Sequence, residues 1–286
     1  MVHRDLKIIR DYLNNIERTK IKEKYNISFS QIYRILEKNN IKRKNQSDSK
    51  RKYFFDDTYF ENINTEEKAY WLGYMYADGC VRINKRDNNK ILNLSSIDKE
   101  HIEKFTKSLS SNLKIQKSKN VGSFSKNNSI YSVSIYSSKL VDDLIKKGCV
   151  LNKTFQLKFP TEDQVPNHLI QHFIRGYFDG DGSISILKRN GNGFIDISGI
   201  HNFLIEINNF LNLEKNKYLY KDKRKTTDCW SIKFSSKKTI YLFYDKIYKN
   251  SNIFLDRKFK KFEQLQKQRG STTIISLPLK KEEGIV

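Results

Sequence analysis

Three short stretches with apolar residues at helical spacing open the chain. Ile8, Ile9, Tyr12 and Leu13 recur along Lys7–Asn14, and Glu17–Tyr25 forms a second helical stretch. Phe29, Ile32, Tyr33 and Leu36 then share one face of Phe29–Lys38. Between the last two, Asn26, Ile27 and Ser28 have turn chemistry, and Ser28 is placed to cap the third helix. Helix, helix, tight turn, helix is the order of a helix-turn-helix. A polar, basic stretch, Ile41–Lys52, follows and reads as a linker.

From about Phe54 onward the pattern occurs twice. Tyr70–Gly79 (YWLGYMYADG) returns as Phe173–Gly182 (FIRGYFDGDG), and Tyr131–Lys139 (YSVSIYSSK) returns as Trp230–Lys238 (WSIKFSSKK). Leu151–Phe155 (LNKTF) returns as Leu255–Phe259 (LDRKF). The order and the offset are nearly constant, which marks an internal repeat. In each copy a helix comes first. Asn64, with Glu67 three residues on, is placed to cap the one running to Asp78, and Pro166 opens the one running to Asp181. A hairpin follows: Val81 and Ile83 alternate with Arg82 and Asn84, as Ile184 and Ile186 alternate with polar partners. A helix, two further strands and a last helix close an αββαββα unit. The expected class is therefore α+β: two pseudo-symmetric αββαββα repeats, plus a small all-α N-terminal helix-turn-helix. The expected segments are 1–44 (helix-turn-helix), 45–53 (basic linker), 54–160 and 161–270 (the repeats), and 271–286 (a tail). Two copies in one chain predict a monomer with a local two-fold axis.

Charge narrows the partner. The chain has 54 Lys+Arg against 32 Asp+Glu, a net +22, so a polyanion is expected. A hydrophobic share of 37 %, with 13 % aromatic, supports a packed core. No uncharged apolar run reaches membrane-spanning length, so no membrane partner is expected, and the start lacks a secretory apolar segment. Cys80, Cys149 and Cys229 are scattered without a CxxC pair, which excludes zinc ribbons and disulfide scaffolds. These features predict an intracellular protein, in the cytoplasm, nucleoid or an organelle. On the third helix, Ser30, Gln31 and Arg34 lie off the apolar face and suit base edges and phosphates of double-stranded DNA.

The repeated motif carries the chemistry. Gly73 and Ala77, like Gly176 and Gly180, are four residues apart and share a helix face. Small side chains let two helix backbones approach closely, so these four positions are the expected helix interface. Asp78 and Asp181 then meet at one pole, where each helix is expected to end in a glycine cap. Two carboxylates at two helix C-termini are unfavourable without a cation. Joined by the terminal carbonyls, those of Ala77 and Gly180, they form an all-oxygen site suited to Mg2+. Mn2+ is the alternative ion and Ca2+ a non-catalytic substitute.

These segments resemble the two motifs of the LAGLIDADG homing endonucleases of the monomeric, two-motif type. The resemblance covers roughly Phe54–Leu265. It implies two four-stranded sheets forming a saddle over DNA, with Asp78 and Asp181 as metal-binding catalytic carboxylates and a staggered double-strand break. It also implies a basic residue in the segment closing each repeat: Lys153 in the first, and Lys258 or Arg257 in the second, with Lys258 preferred. Two positions depart from the motif. Tyr76 stands where the second copy keeps Asp179, and Arg175 replaces a small residue, expected on the outer face. DNA contacts are expected from Arg82, Asn84 and Arg86, from Ser183, Ser185, Lys188 and Arg189, and from Lys117, Lys119, Lys221, Lys223, Arg224 and Lys233. Two alternatives use the same scaffold: a maturase that binds intron RNA, and a non-catalytic DNA-binding regulator. His168 and His172, four apart, read as helix-surface residues rather than metal ligands.

Overall fold

The computed structural model describes residues 2–14, 16–41, 43, 53–84, 88–119, 129–149, 156–188, 191–213, 218–223 and 228–267. The chain divides into two compact units, residues 1–55 with 110–113, and the remainder.

The first unit holds α1 (Val2–Leu13), α2 (Arg18–Tyr25) and α3 (Phe29–Lys38). Its core is Ile8, Ile9, Tyr12, Ile21, Ile27, Ile32 and Leu36. Asn26 ends α2 in the left-handed region, at φ 49°, and so turns the chain toward α3. Ser28 caps α3 through the Gln31 amide, and the Gln31 side chain accepts the Ser28 N–H in return. Asp11, buried at the helix junction, accepts from Lys24 and Tyr25 at 2.7 Å each.

The second unit contains the repeats. The first comprises α4 (Glu66–Ala77), β1 (Cys80–Ile83), β2 (Lys90–Ser96), α5 (Lys99–Ser108), β3 (Gln116–Lys119), β4 (Ser129–Tyr136) and α6 (Ser138–Lys146). After a 3-10 turn at Asn167–Leu169, the second comprises α7 (Ile170–Asp181), β5 (Gly182–Ile186), β6 (Gly193–Gly199), α8 (His201–Phe210), β7 (Leu219–Lys221), β8 (Trp230–Phe234) and α9 (Lys237–Ile247). A further helix, α10 (Asp256–Lys267), follows. The order αββαββα thus appears twice. Pro166 opens the 3-10 turn, not the helix itself, and Thr65, not Asn64, caps α4 by accepting the Lys68 N–H.

Each repeat forms one antiparallel sheet, ordered β1-β2-β4-β3 and β5-β6-β8-β7. Alternation divides each sheet into two faces. Val81, Leu92, Leu94, Val133 and Ile135 are buried on one side, as are Ile184, Ile195, Ile197, Ile232 and Phe234 in the second sheet. The opposite face carries Arg82, Asn93, Ser95 and Ser134, and in the second sheet Ser183, Asp196, Ser198 and Lys233.

α4 and α7 form the centre. Every residue from Ala69 to Ala77 is buried, and so is Phe173 to Asp179, the signature of helices enclosed on all sides. A Cβ on Gly73 would stand 1.9 Å from the Phe173 carbonyl oxygen, and one on Gly176 would stand 1.9 Å from that of Tyr70. One on Gly180 would meet the Ala77 Cβ at 2.2 Å. The two backbones are therefore in direct contact, and only glycine fits where they cross.

Candidate active site and nucleic-acid interface

The pairing of α4 with α7 brings two carboxylates to one pole. Asp78 caps the end of α4, Asp181 is the last residue of α7, and both are exposed. The space beside Gly180 lies 3.5 Å from the Asp78 carboxyl carbon, so Asp78 reaches across to the residue preceding Asp181. A buried tyrosine stands behind each: Tyr74 behind Asp78 and Tyr177 behind Asp181. Burial raises both phenols well above their ordinary pKa, and the neighbouring aspartate adds to the shift.

The glycines after the aspartates do not supply a left-handed cap. Gly182 is extended (φ −88°, ψ 163°), and among the described residues only Gly148 and Gly191 are glycines with positive φ. Room is the reason for glycine here. A Cβ on Gly79 would strike the Met75 carbonyl at 2.7 Å, and one on Gly182 would strike the Phe178 ring at 2.2 Å.

Lys258 performs the cap instead. It is 2 % exposed, and its ammonium donates to the carbonyls of Phe178 (2.6 Å), Asp179 (2.8 Å) and Gly182. A cation at a helix C-terminus is favoured by the helix dipole. Burial pushes its pKa down to about 8, against the attraction of Asp179, Asp78 and Asp181. All three of its N–H groups are committed to backbone carbonyls at the end of α7. Arg257 points elsewhere, with its Nε donating to Asp98 at 2.7 Å. Lys153, the expected counterpart in the first repeat, lies outside the described residues.

Beneath the pole lies a buried polar network that the sequence did not announce. Asp179 accepts from Tyr70 (2.8 Å), Tyr248 and the Leu255 N–H (2.8 Å). Burial lifts its carboxyl above the usual range, opposed by Lys258 and these donors. Arg175 is 1 % exposed, not on the outer face. It donates to the carbonyls of Ile253 and Ile247 at 2.8 Å each and to Glu66 at 2.6 Å. A motif position read as small hid this role, since a guanidinium needs a partner that lies 109 residues away.

Hard anionic oxygens at two helix C-termini are the donor set that Mg2+ prefers. No group of three or more His, Cys, Asp or Glu stands together among the described residues. Further ligands would therefore be backbone carbonyls, with those of Ala77 and Gly180 at the helix ends, and water. The donor set present fits such an ion. His168 is exposed, while burial pushes half-buried His172 down to about 4.

Cross-strand register places the candidate contacts. Arg82 is exposed and shares the polar face with Ser183, Ser185 and Lys233 of the second sheet by repeat position. Asn84 follows β1, its N–H closing the turn to Asn89. Lys117 and Lys119 are exposed on edge strand β3, but they pair with Tyr131 and Ser129, on the side of Val133 and Ile135. Lys221 pairs with Trp230 and likewise sits on the helix side, whereas Tyr220 points to the polar face. Lys188 and Lys223 are exposed in turns. Arg86, Arg189 and Arg224 lie outside the described residues. In the first unit Ser30, Gln31 and Arg34 are exposed on α3, with the Gln31 oxygen engaged in capping. Sequence reading missed Asn93 and Asp196. The alternation of Ile91, Asn93 and Ser95 with buried Leu92 and Leu94 was the available signal.

Two stretches, residues 65–147 and 169–248, match a family described as LAGLIDADG-like domain, and the chain belongs to that family. Among individual proteins, it is 26 % identical over 185 residues to the uncharacterized protein MJ0314 of Methanocaldococcus jannaschii. That match covers 62 % of this chain and 64 % of the relative, so the chain spans just under two thirds of the curated relative's length. Solved structures that are similar include the homing endonuclease I-WcaI bound to its DNA recognition sequence (17 % identity, 71 % of this chain and 89 % of that one, TM-score 0.49). The I-SmaMI LAGLIDADG homing endonuclease bound to cleaved DNA is also similar (15 %, 69 % and 87 %, TM-score 0.46). Among the described residues no helix is long and apolar enough to cross a membrane.

Proposed function

We propose that the protein is a site-specific DNA endonuclease that hydrolyses one phosphodiester in each strand with divalent metal held by Asp78 and Asp181. The observation that carries this reading is the pairing of two exposed carboxylates at adjoining helix ends, inside a chain of net charge +22. A bound Mg2+ would polarise the phosphate and lower the pKa of an attacking water. The chain's own residues set the frame. Gly73 and Gly176 let the helices touch, which fixes the spacing of the carboxylates. Lys258 locks the end of α7 and places a positive charge behind Asp181. The polar faces of the two sheets meet the duplex, Arg82 and Lys233 contribute donors there, and α3 of the first unit extends the footprint.

The test uses the full chain. A duplex selected from a random library is incubated with Mg2+ and with protein carrying Asp78→Asn or Asp181→Asn. Cutting is expected to fall by about 100- to 1,000-fold with binding retained. Cleavage by both variants at the parent rate refutes the assignment. Preferential binding of intron RNA over duplex DNA would favour the maturase reading.

A further inference from the structure

Corresponding positions on the two polar sheet faces differ in a way that bears on what each half recognises. Register aligns one cross-strand row in each sheet. In the first, Cys80 pairs with Asn93 and Asn93 with Ser134. In the second, Ser183 pairs with Asp196 and Asp196 with Lys233. The rows occupy the same strands at the same step, but their chemistry is different.

In the second row the Lys233 ammonium stands 3.3 Å from Asp196 Oδ2. The other oxygen, Oδ1, is covered and accepts no hydrogen bond. Around the pair the face is neutral: Ser183, Ser185, Phe194, Ser198 and Ser231. An ion pair with side chains 38 % and 23 % exposed contributes little to stability, so stability does not explain one on a serine-lined face. In the first row Ser134 donates to Asn93 Oδ1 at 2.7 Å, which orients the amide and leaves Oδ1 a second lone pair.

We propose that these rows read one base pair each and read different ones. Through Oδ2, the oxygen beside Lys233, Asp196 accepts from the exocyclic amine of cytosine while Lys233 donates to the guanine paired with it; Asn93 pairs through its amide with adenine. The recognition site is accordingly not a palindrome. It carries C·G at the second repeat's row and A·T at the matching position of the other half. This rests on the DNA-binding reading above and adds the identity of two bases.

The experiment selects bound duplexes from a random-sequence library. The full chain carries Asp78→Asn and Asp181→Asn so that bound DNA is not consumed. In that background, Asp196→Asn with Lys233→Ser makes the second row resemble the first. The C·G preference at one position is expected to fall by roughly tenfold and move toward A·T, with all other positions unchanged. The reciprocal variant, Asn93→Asp with Ser134→Lys, is expected to move the other half toward C·G, and it keeps the test open if the first variant does not fold. If folded variants retain the parent preference at every position, the pair is structural only and the proposal is overturned. If the parent itself enriches no sequence, the DNA-reading function fails, and this inference fails with it.

Discussion

Beneath α7, Asp179 gathers two tyrosine hydroxyls and a backbone N–H, and Lys258 closes the helix end above it. Beneath α4, the same motif position is Tyr76, and its hydroxyl makes a single bond to the Lys147 carbonyl at 2.6 Å. A similar substitution separates the second helices. His101 is the third residue of α5, with its ring 4.7 Å from Tyr74. Phe203 is the third residue of α8, 4.6 Å from Tyr177. The repeats thus keep one frame and fill it differently. Backbone contact at the glycines constrains both equally, whereas the space behind each helix accepts either a neutral or an ionic solution.

The strongest test of this contrast is Asp179→Ala. It would leave two buried hydroxyls and an N–H without their acceptor and remove the carboxylate that attracts the buried Lys258 ammonium, at an expected cost of about 3–5 kcal/mol in denaturant unfolding. A cost no greater than that of Tyr76→Phe would show that the two sites are energetically alike. Gly73→Ala and Gly176→Ala come next. Each forces a methyl onto a backbone carbonyl and is expected to cost about 3 kcal/mol. Unequal values would break the claim that the frame constrains both repeats alike. Tyr76→Phe removes one hydrogen bond and should cost about 1 kcal/mol.

The smallest effect is one of pH. Burial pushes His101 from 6.5 down to about 3, so below pH 6.5 the unfolded chain binds a proton that the folded one refuses. Stability therefore falls as pH drops from about 6.5 toward 3. The slope is at most about 1.4 kcal/mol per pH unit from this residue. His101→Phe copies the second repeat and should flatten that part of the profile. An unchanged acid limb would place the sensitivity elsewhere.

Local pattern carried much of this architecture. Alternating apolar positions identified the strands, the doubled motif identified the repeat, and Ser28 announced its own cap. Features that depend on distant partners were not legible. Arg175 reads as an outer-face residue because Glu66 and the Ile253 carbonyl are remote in sequence. Lys117 and Lys119 read as DNA contacts, but only register, set by β4, decides which side of the sheet an edge strand shows. The glycines after Asp78 and Asp181 suggested a left-handed turn. The real constraint is steric and comes from Met75 in one case and Phe178 in the other.

The bond from Arg175 to Glu66 has a consequence for descent. Glu66 has Leu169 as its counterpart in the second repeat, by the offset that relates Asp78 to Asp181. A symmetric assembly of two second repeats would set a leucine where the guanidinium now finds its carboxylate, stranding a buried charge. An assembly of two first repeats would have Leu72 in place of that arginine and leave Glu66 without it. Neither symmetric assembly keeps this ion pair. The bond is one that only unlike copies form, so it ties the start of the first repeat's central helix to the second repeat's central helix.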